Sequence, residues 1–137
     1  MTTKLYTSEE INAVFNANIN KKLFFNKVAI DSREVSNRGI FFAIKGNNDD
    51  GHRYVKEVLK NKNNLAIVSK GPKNERSIRS QDTLESLKDL ASYARQRSEA
   101  KIVAITGSCG KTSLKNLLNS SLSKVGKTHC SPKSFNN

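Results

Sequence analysis

The chain is poor in the residues that build metal centres and disulfide frameworks, with two cysteines and two histidines among 137 residues. Cys109 and Cys130 lie far apart and make no C-x-x-C pair, which argues against a zinc site or a disulfide scaffold. His52 and His129 share no metal-ligand spacing. No run approaches the ~20 apolar residues that cross a bilayer. The opening segment Met1–Glu10 lacks the apolar core of a signal peptide. A cytoplasmic protein with no membrane insertion is expected. Acidic residues are also scarce, 12 against 24 Lys and Arg, for a net charge of +12. Such a balance invites a nucleic-acid reading, because phosphate neutralisation dominates that kind of binding. Yet the basic residues are scattered along the chain, and no basic cluster is interleaved with base-stacking aromatics. Nucleic acid is not the expected partner, although a basic surface still attracts an anionic nucleotide. The Lys and Asn abundance, as in Asn61-Lys-Asn-Asn64, reads as compositional bias.

Against these absences stands Ile102-Val-Ala-Ile-Thr-Gly-Ser-Cys-Gly-Lys-Thr-Ser113. An apolar β-type run breaks into a glycine-bracketed turn, and an amphipathic helix follows. Gly107 and Gly110 let the backbone curl so that successive N–H groups converge on an anion. A helix starting near Thr112 adds unpaired N–H groups and the positive end of its dipole. Lys111 brings a mobile charge for terminal phosphates, and the Thr112 hydroxyl suits Mg²⁺. The loop is two residues shorter between its glycines than the common G-x-x-x-x-G-K-[ST] form. The competing reading is a plain strand-to-helix turn with Lys111 in solvent. Cys109 sits where cationic neighbours can activate a thiol, but nothing in the pattern requires a nucleophile.

The rest of the chain reads as alternating strands and helices. Thr7-Ser-Glu-Glu10 fits a capping box, so a helix is expected from about Ser8 to Ala17. Lys27–Asp31 predicts a strand, and Ile40–Ile44 a strand covered on both faces. Lys45–Gly51 is a loop in which Gly46 and Gly51 are expected at positive φ. A helix is expected over His52–Asn61, a strand over Leu65–Ser69 and a short edge strand within Lys73–Ser80. Leu84, Leu87, Leu90, Ala91 and Ala94 line one face of a helix over Thr83–Arg97. Lys101–Thr106 is the strand that feeds the loop, Gly126 stops the helix beyond it, and Thr128–Cys130 opens another strand. The fold class is therefore α/β: a small domain over residues 1–82, then the first β-α-β of a P-loop nucleotide-binding domain over 83–137. That second unit looks incomplete, since one helix and a strand or two cannot cover a sheet. A truncated chain is expected.

Taken together, Asp31-Ser-Arg33, Gly39-Ile-Phe-Phe-Ala-Ile-Lys-Gly46, Asp50-Gly-His52 and Ile105-Thr-Gly-Ser-Cys-Gly-Lys-Thr112 resemble the Mur ligases, which build the peptidoglycan precursor. The ending Ser134-Phe-Asn-Asn137 is similar to the member that adds D-alanyl-D-alanine; the member adding the third amino acid is the alternative. The resemblance covers nearly all of this chain and the first third or so of a family enzyme. It implies a three-domain ligase that phosphorylates the terminal carboxylate of UDP-N-acetylmuramoyl-tripeptide with ATP and joins it to D-alanyl-D-alanine, a monomer when full length. It further implies that Gly107, Ser108, Cys109, Gly110, Lys111, Thr112, Ser113 and Asn137 bind ATP, with Lys111 catalytic and Thr112 on Mg²⁺. Ser32, Arg33 and Asn136 would contact the UDP-peptide; for Ser32 and Arg33 the rival is a turn with an Asp31–Arg33 pair. Lys45 and His52 are read as shaping their loop ahead of a direct ligand role. Cys109 departs from the Asn or Ser more usual there, a change that backbone contacts tolerate. The resemblance implies the rest of the central domain and a C-terminal domain beyond these residues, so the 137 residues alone are expected to lack ligase activity. Two rivals remain: another P-loop NTPase, which would carry a longer loop near its N-terminus, and a basic nucleic-acid-binding module.

Overall fold

The computed structural model describes residues 4–71 and 74–132, so Asn136 and Asn137 lie outside the described residues. These residues divide into two compact units, one running to Ser98 and one starting at Glu99.

In the first unit the capping box forms as expected. Thr7 Oγ1 accepts the Glu10 N–H at 3.2 Å, and Glu10 Oε2 accepts the Thr7 N–H at 2.7 Å. They open helix α1 (Ser8–Phe15), which Asn16 closes in a left-handed conformation at φ 47°. The chain then returns so that strand β2 (Phe24–Phe25) pairs antiparallel with β1 (Tyr6–Thr7). Neither two-residue strand was expected. Ser8 binds them across the loop, its N–H donating to Leu23 O and its Oγ accepting the Leu23 N–H.

Four parallel strands follow in chain order across one sheet: β3 (Lys27–Ala29), β4 (Gly39–Phe42), β5 (Leu65–Val68) and β6 (Ser77–Arg79). Val28 lies opposite Ile40, Phe41 opposite Ala66, and Ile67 opposite Ile78. Alternation along the strands divides the core into two clusters. Ile40, Phe42, Leu65 and Ile67 pack with Ile11 of α1 and with Leu90; Phe41, Ala66 and Val68 pack with Val58 and Leu59. β4 and β5 are thus buried on both faces, which is why they read as unbroken apolar runs. β6 sits at the sheet edge, as expected.

The expected helix over His52–Asn61 is shorter than its pattern. A 3₁₀ turn (Gly51–Tyr54) leads into one turn of helix, α2 (Val55–Val58). Two contacts stop it there. Asn61 Oδ1 takes the Asn63 N–H at 3.0 Å, and the Arg76 guanidinium takes the carbonyls of Leu59 and Asn61 at 2.8 and 2.7 Å. Local side-chain bonds of this kind compete with helix continuation.

Helix α3 (Thr83–Gln96) starts at Asp82, whose Oδ1 accepts the N–H groups of Leu84 and Glu85. It belongs to the first unit, contrary to the expected boundary at residue 82. Leu90 is 1 % exposed in the sheet core, and Thr83 Oγ1 donates to Ala43 O at 3.1 Å. An amphipathic helix goes where its apolar stripe is covered, and the sheet of the first unit covers it.

The second unit contains helix α4 (Lys111–Leu122). Lys101–Thr106 forms no ladder among the described residues, nor does Thr128–Cys130. A strand needs a hydrogen-bonded neighbour, and Ile102 and Val103 remain 65 % and 62 % exposed.

Candidate functional site

The glycine loop ahead of α4 has the backbone its sequence calls for. Gly107 and Gly110 adopt φ of 146° and 75°, values that L-residues rarely reach. Gly110 caps α4, which starts at Lys111, one residue before the expected position. No acidic residue lies in the first turn of this 12-residue helix, so nothing there opposes the positive end of its dipole. The Lys111 ammonium folds back to donate to the Gly107 carbonyl. A curled backbone, a helix start without acidic residues and a lysine held at the loop mouth fit a nucleotide phosphate. Ser108, Cys109, Thr112 and Ser113 line the same exposed loop and helix start.

A second set of residues gathers at the carboxyl ends of β3 and β4. There Asp31 caps the 3₁₀ turn Ser32–Glu34, its Oδ1 accepting the Arg33 N–H at 3.0 Å. The Arg33 side chain pairs with it in a fork, Nε to Oδ1 at 3.0 Å and Nη2 to Oδ2 at 2.6 Å. The guanidinium bonds hold the Asp31 carboxyl down to about 2. The pairing anticipated from sequence is present, while the Arg33 side chain stays 87 % exposed.

Ser32 and Arg33 border a cleft of about 580 Å³, together with Ile30, Asp49 and Tyr54. A neighbouring groove of about 450 Å³ also includes Ser32, Arg33 and Tyr54. The crevice outside the carboxyl ends of parallel strands is where open α/β sheets take their ligands. Across it Tyr54 Oη donates to Asp49 Oδ2 at 2.8 Å, which lowers the Asp49 carboxyl and raises the Tyr54 phenol. Sequence reading passed over Asp49 and Tyr54. Asp49 lay in a run of turn formers, and Tyr54 merged with the helical pattern that follows it.

His52 and Lys45 serve the loop. His52 bonds Asp50 and Ser69, and the Lys45 backbone pairs with that of Asp50 in an isolated antiparallel β-bridge. The two loop glycines correct the expectation, since neither Gly46 nor Gly51 has a positive φ. Gly51 is required by space instead. A Cβ there would stand 3.0 Å from the Ile44 backbone N and O and 3.1 Å from Ala43 Cα.

No family model matches the chain. A UDP-N-acetylmuramoyl-tripeptide--D-alanyl-D-alanine ligase from Rickettsia prowazekii is 32 % identical over 83 % of this chain and 26 % of its own length. The enzyme of that name from Buchnera aphidicola subsp. Acyrthosiphon pisum is 34 % identical over 84 % of this chain and 26 % of its own length. A ligase from Clostridium tetani, named for addition of 2,6-diaminopimelate, also matches, at 27 % identity. Among solved structures, MurF from Acinetobacter baumannii superposes with a TM-score of 0.75 at 27 % identity, over 91 % of this chain and 29 % of that one. The chain spans about a quarter of the length of the curated relatives it matches. From its motifs, its mixed α/β fold with a parallel sheet and these likenesses, the chain belongs to the Mur ligase family.

Proposed function

We propose that these residues supply the UDP-sugar-binding unit and the phosphate loop of a cytoplasmic ligase that adds D-alanyl-D-alanine to UDP-N-acetylmuramoyl-tripeptide. The observation that carries the reading is the loop itself, with Gly107 and Gly110 at positive φ and Lys111 opening α4. The names of the relatives supply the reaction class.

In this reading ATP would pass its γ-phosphoryl group to the tripeptide carboxylate and leave as ADP, Mg²⁺ would neutralise the phosphate charge, and the amine of D-alanyl-D-alanine would displace phosphate to form the amide. The residues of this chain do the positioning. Main-chain N–H groups from Gly107 to Ser113 cradle the phosphates, and Lys111 leaves the Gly107 carbonyl to neutralise charge that grows during transfer. Thr112 would hold the metal through its hydroxyl. Asn136 and Asn137 are assigned to the substrate and the nucleotide, by resemblance. In the first unit Ser32 and Arg33 present hydroxyl and guanidinium groups to the uridine diphosphate. The Asp31 fork keeps Arg33 oriented while its side chain stays open to solvent.

The match to a diaminopimelate ligase favours one alternative, a member that extends the dipeptide. Calorimetric titration tests the UDP-substrate reading that the two share. The 137-residue chain is expected to bind UDP-N-acetylmuramoyl-tripeptide and dipeptide saturably and to lose affinity when Arg33 becomes Ala. Supplied with ATP and D-alanyl-D-alanine it is expected to form no amide. Turnover at the rate of a full-length ligase, or no binding of either UDP-peptide, overturns the assignment.

A further inference from the structure

The Asp50–His52 pair has no part in the contacts assigned above, yet it is among the most tightly bonded polar clusters of the first unit. The His52 side chain is 7 % exposed, with Nδ1 2.6 Å from Asp50 Oδ1. The other carboxylate oxygen, Oδ2, lies 2.5 Å from Lys70 Nζ. On the far side of the ring, His52 Nε2 receives the Ser69 backbone N–H at 2.9 Å, with the Ser69 hydroxyl at 3.0 Å. A backbone amide can only donate, so Nε2 carries the lone pair. The ring proton is then on Nδ1, facing the carboxylate.

This single ring joins two separate pieces of chain. One is the segment after β4, folded on itself by Gly46 N–H to Asp49 O and Gly51 N–H to Ile44 O, both 2.9 Å. The other is the residue directly after β5. The first piece carries Asp49 and Tyr54, which border the cleft at the carboxyl ends of β3 and β4. We propose that His52 is a positioning residue: as the Nδ1–H tautomer oriented by Asp50, it anchors the 46–54 segment to the end of β5 and so sets the Asp49–Tyr54 wall of the cleft. The consequence for ligand rests on the UDP-substrate reading above; the anchoring does not.

NMR of the full 137-residue chain, with UDP as probe, tests both parts. The ring ¹⁵N spectrum is expected to place the proton on Nδ1. His52→Asn keeps a donor near Asp50 but loses the outer acceptor. It is expected to speed Ser69 amide exchange about tenfold, shift the amides of Asp49 and Tyr54, and weaken UDP binding about tenfold, the loss of one hydrogen bond. His52→Gln reaches Ser69 with its side-chain oxygen and is expected to restore Ser69 protection, the cleft amides and the affinity. A proton on Nε2 in the unaltered chain overturns the proposal. So do unmoved Asp49 and Tyr54 amides in the His52→Asn chain. If the unaltered chain ignores UDP while ring and amides respond as stated, the ligand assignment fails and the positioning role stands.

Discussion

Asn64 is 1 % exposed, and its side chain makes three hydrogen bonds. Its Oδ1 accepts the Gly39 N–H at 2.9 Å, and its Nδ2 donates to Ser36 O and Val58 O at 2.8 and 3.1 Å. The residue thus joins the start of β4 to the end of α2, and it sits in a run that composition alone presents as bias. Nothing in Asn61-Lys-Asn-Asn64 distinguishes the buried asparagine from its solvated neighbours. Asn64→Ala strands one donor and two acceptors in the core. We expect a loss of roughly 2–3 kcal/mol in urea unfolding. A loss below about 0.5 kcal/mol would show that the bonds are replaced by water. Gly51 teaches a related point. Its glycine identity was legible, but its reason was not, because the close approach of Ala43 and Ile44 is a tertiary fact.

At the scale of elements, legibility followed length and periodicity. The capping box, the two apolar central strands, the edge strand and α3 were all readable, since each has a local signature. β1 and β2 were not, because two-residue strands owe their pairing to Ser8 and Leu23 across a loop. The 101–106 run carries a strand composition without a ladder, which shows that β propensity describes fit to a sheet rather than an intrinsic backbone state. Helices α3 and α4 make the contrast measurable. Leu90 is 1 % exposed whereas Leu117 is 65 % exposed. We expect Leu90→Ala to cost about 2–5 kcal/mol of stability in the first unit. Leu117→Ala should change stability by no more than about 0.5 kcal/mol. Equal effects in denaturant unfolding would contradict the assignment of α3 to the sheet core.

For the whole molecule, the functional reading rests on order as well as on motifs. A parallel sheet with a cleft at its carboxyl ends comes first, and a short glycine loop opening a helix comes second. The loop was legible because its backbone demands are local, and glycine supplies them at Gly107 and Gly110. The cleft was only half legible. Ser32 and Arg33 stood out beside Asp31, but Asp49 and Tyr54 reach the cleft only after the segment beyond β4 is folded. The net charge of +12 is put down to a generally basic surface, which would draw in anionic nucleotides without fixing where they bind. The central claim is that Gly107–Ser113 is a nucleotide phosphate site, and amide NMR during titration with Mg²⁺ and ATP tests it most directly. Saturable shifts are expected in the amides of Gly107 to Ser113, abolished by Lys111→Ala. Silent loop amides at millimolar nucleotide, or shifts that persist unchanged in Lys111→Ala, would contradict it.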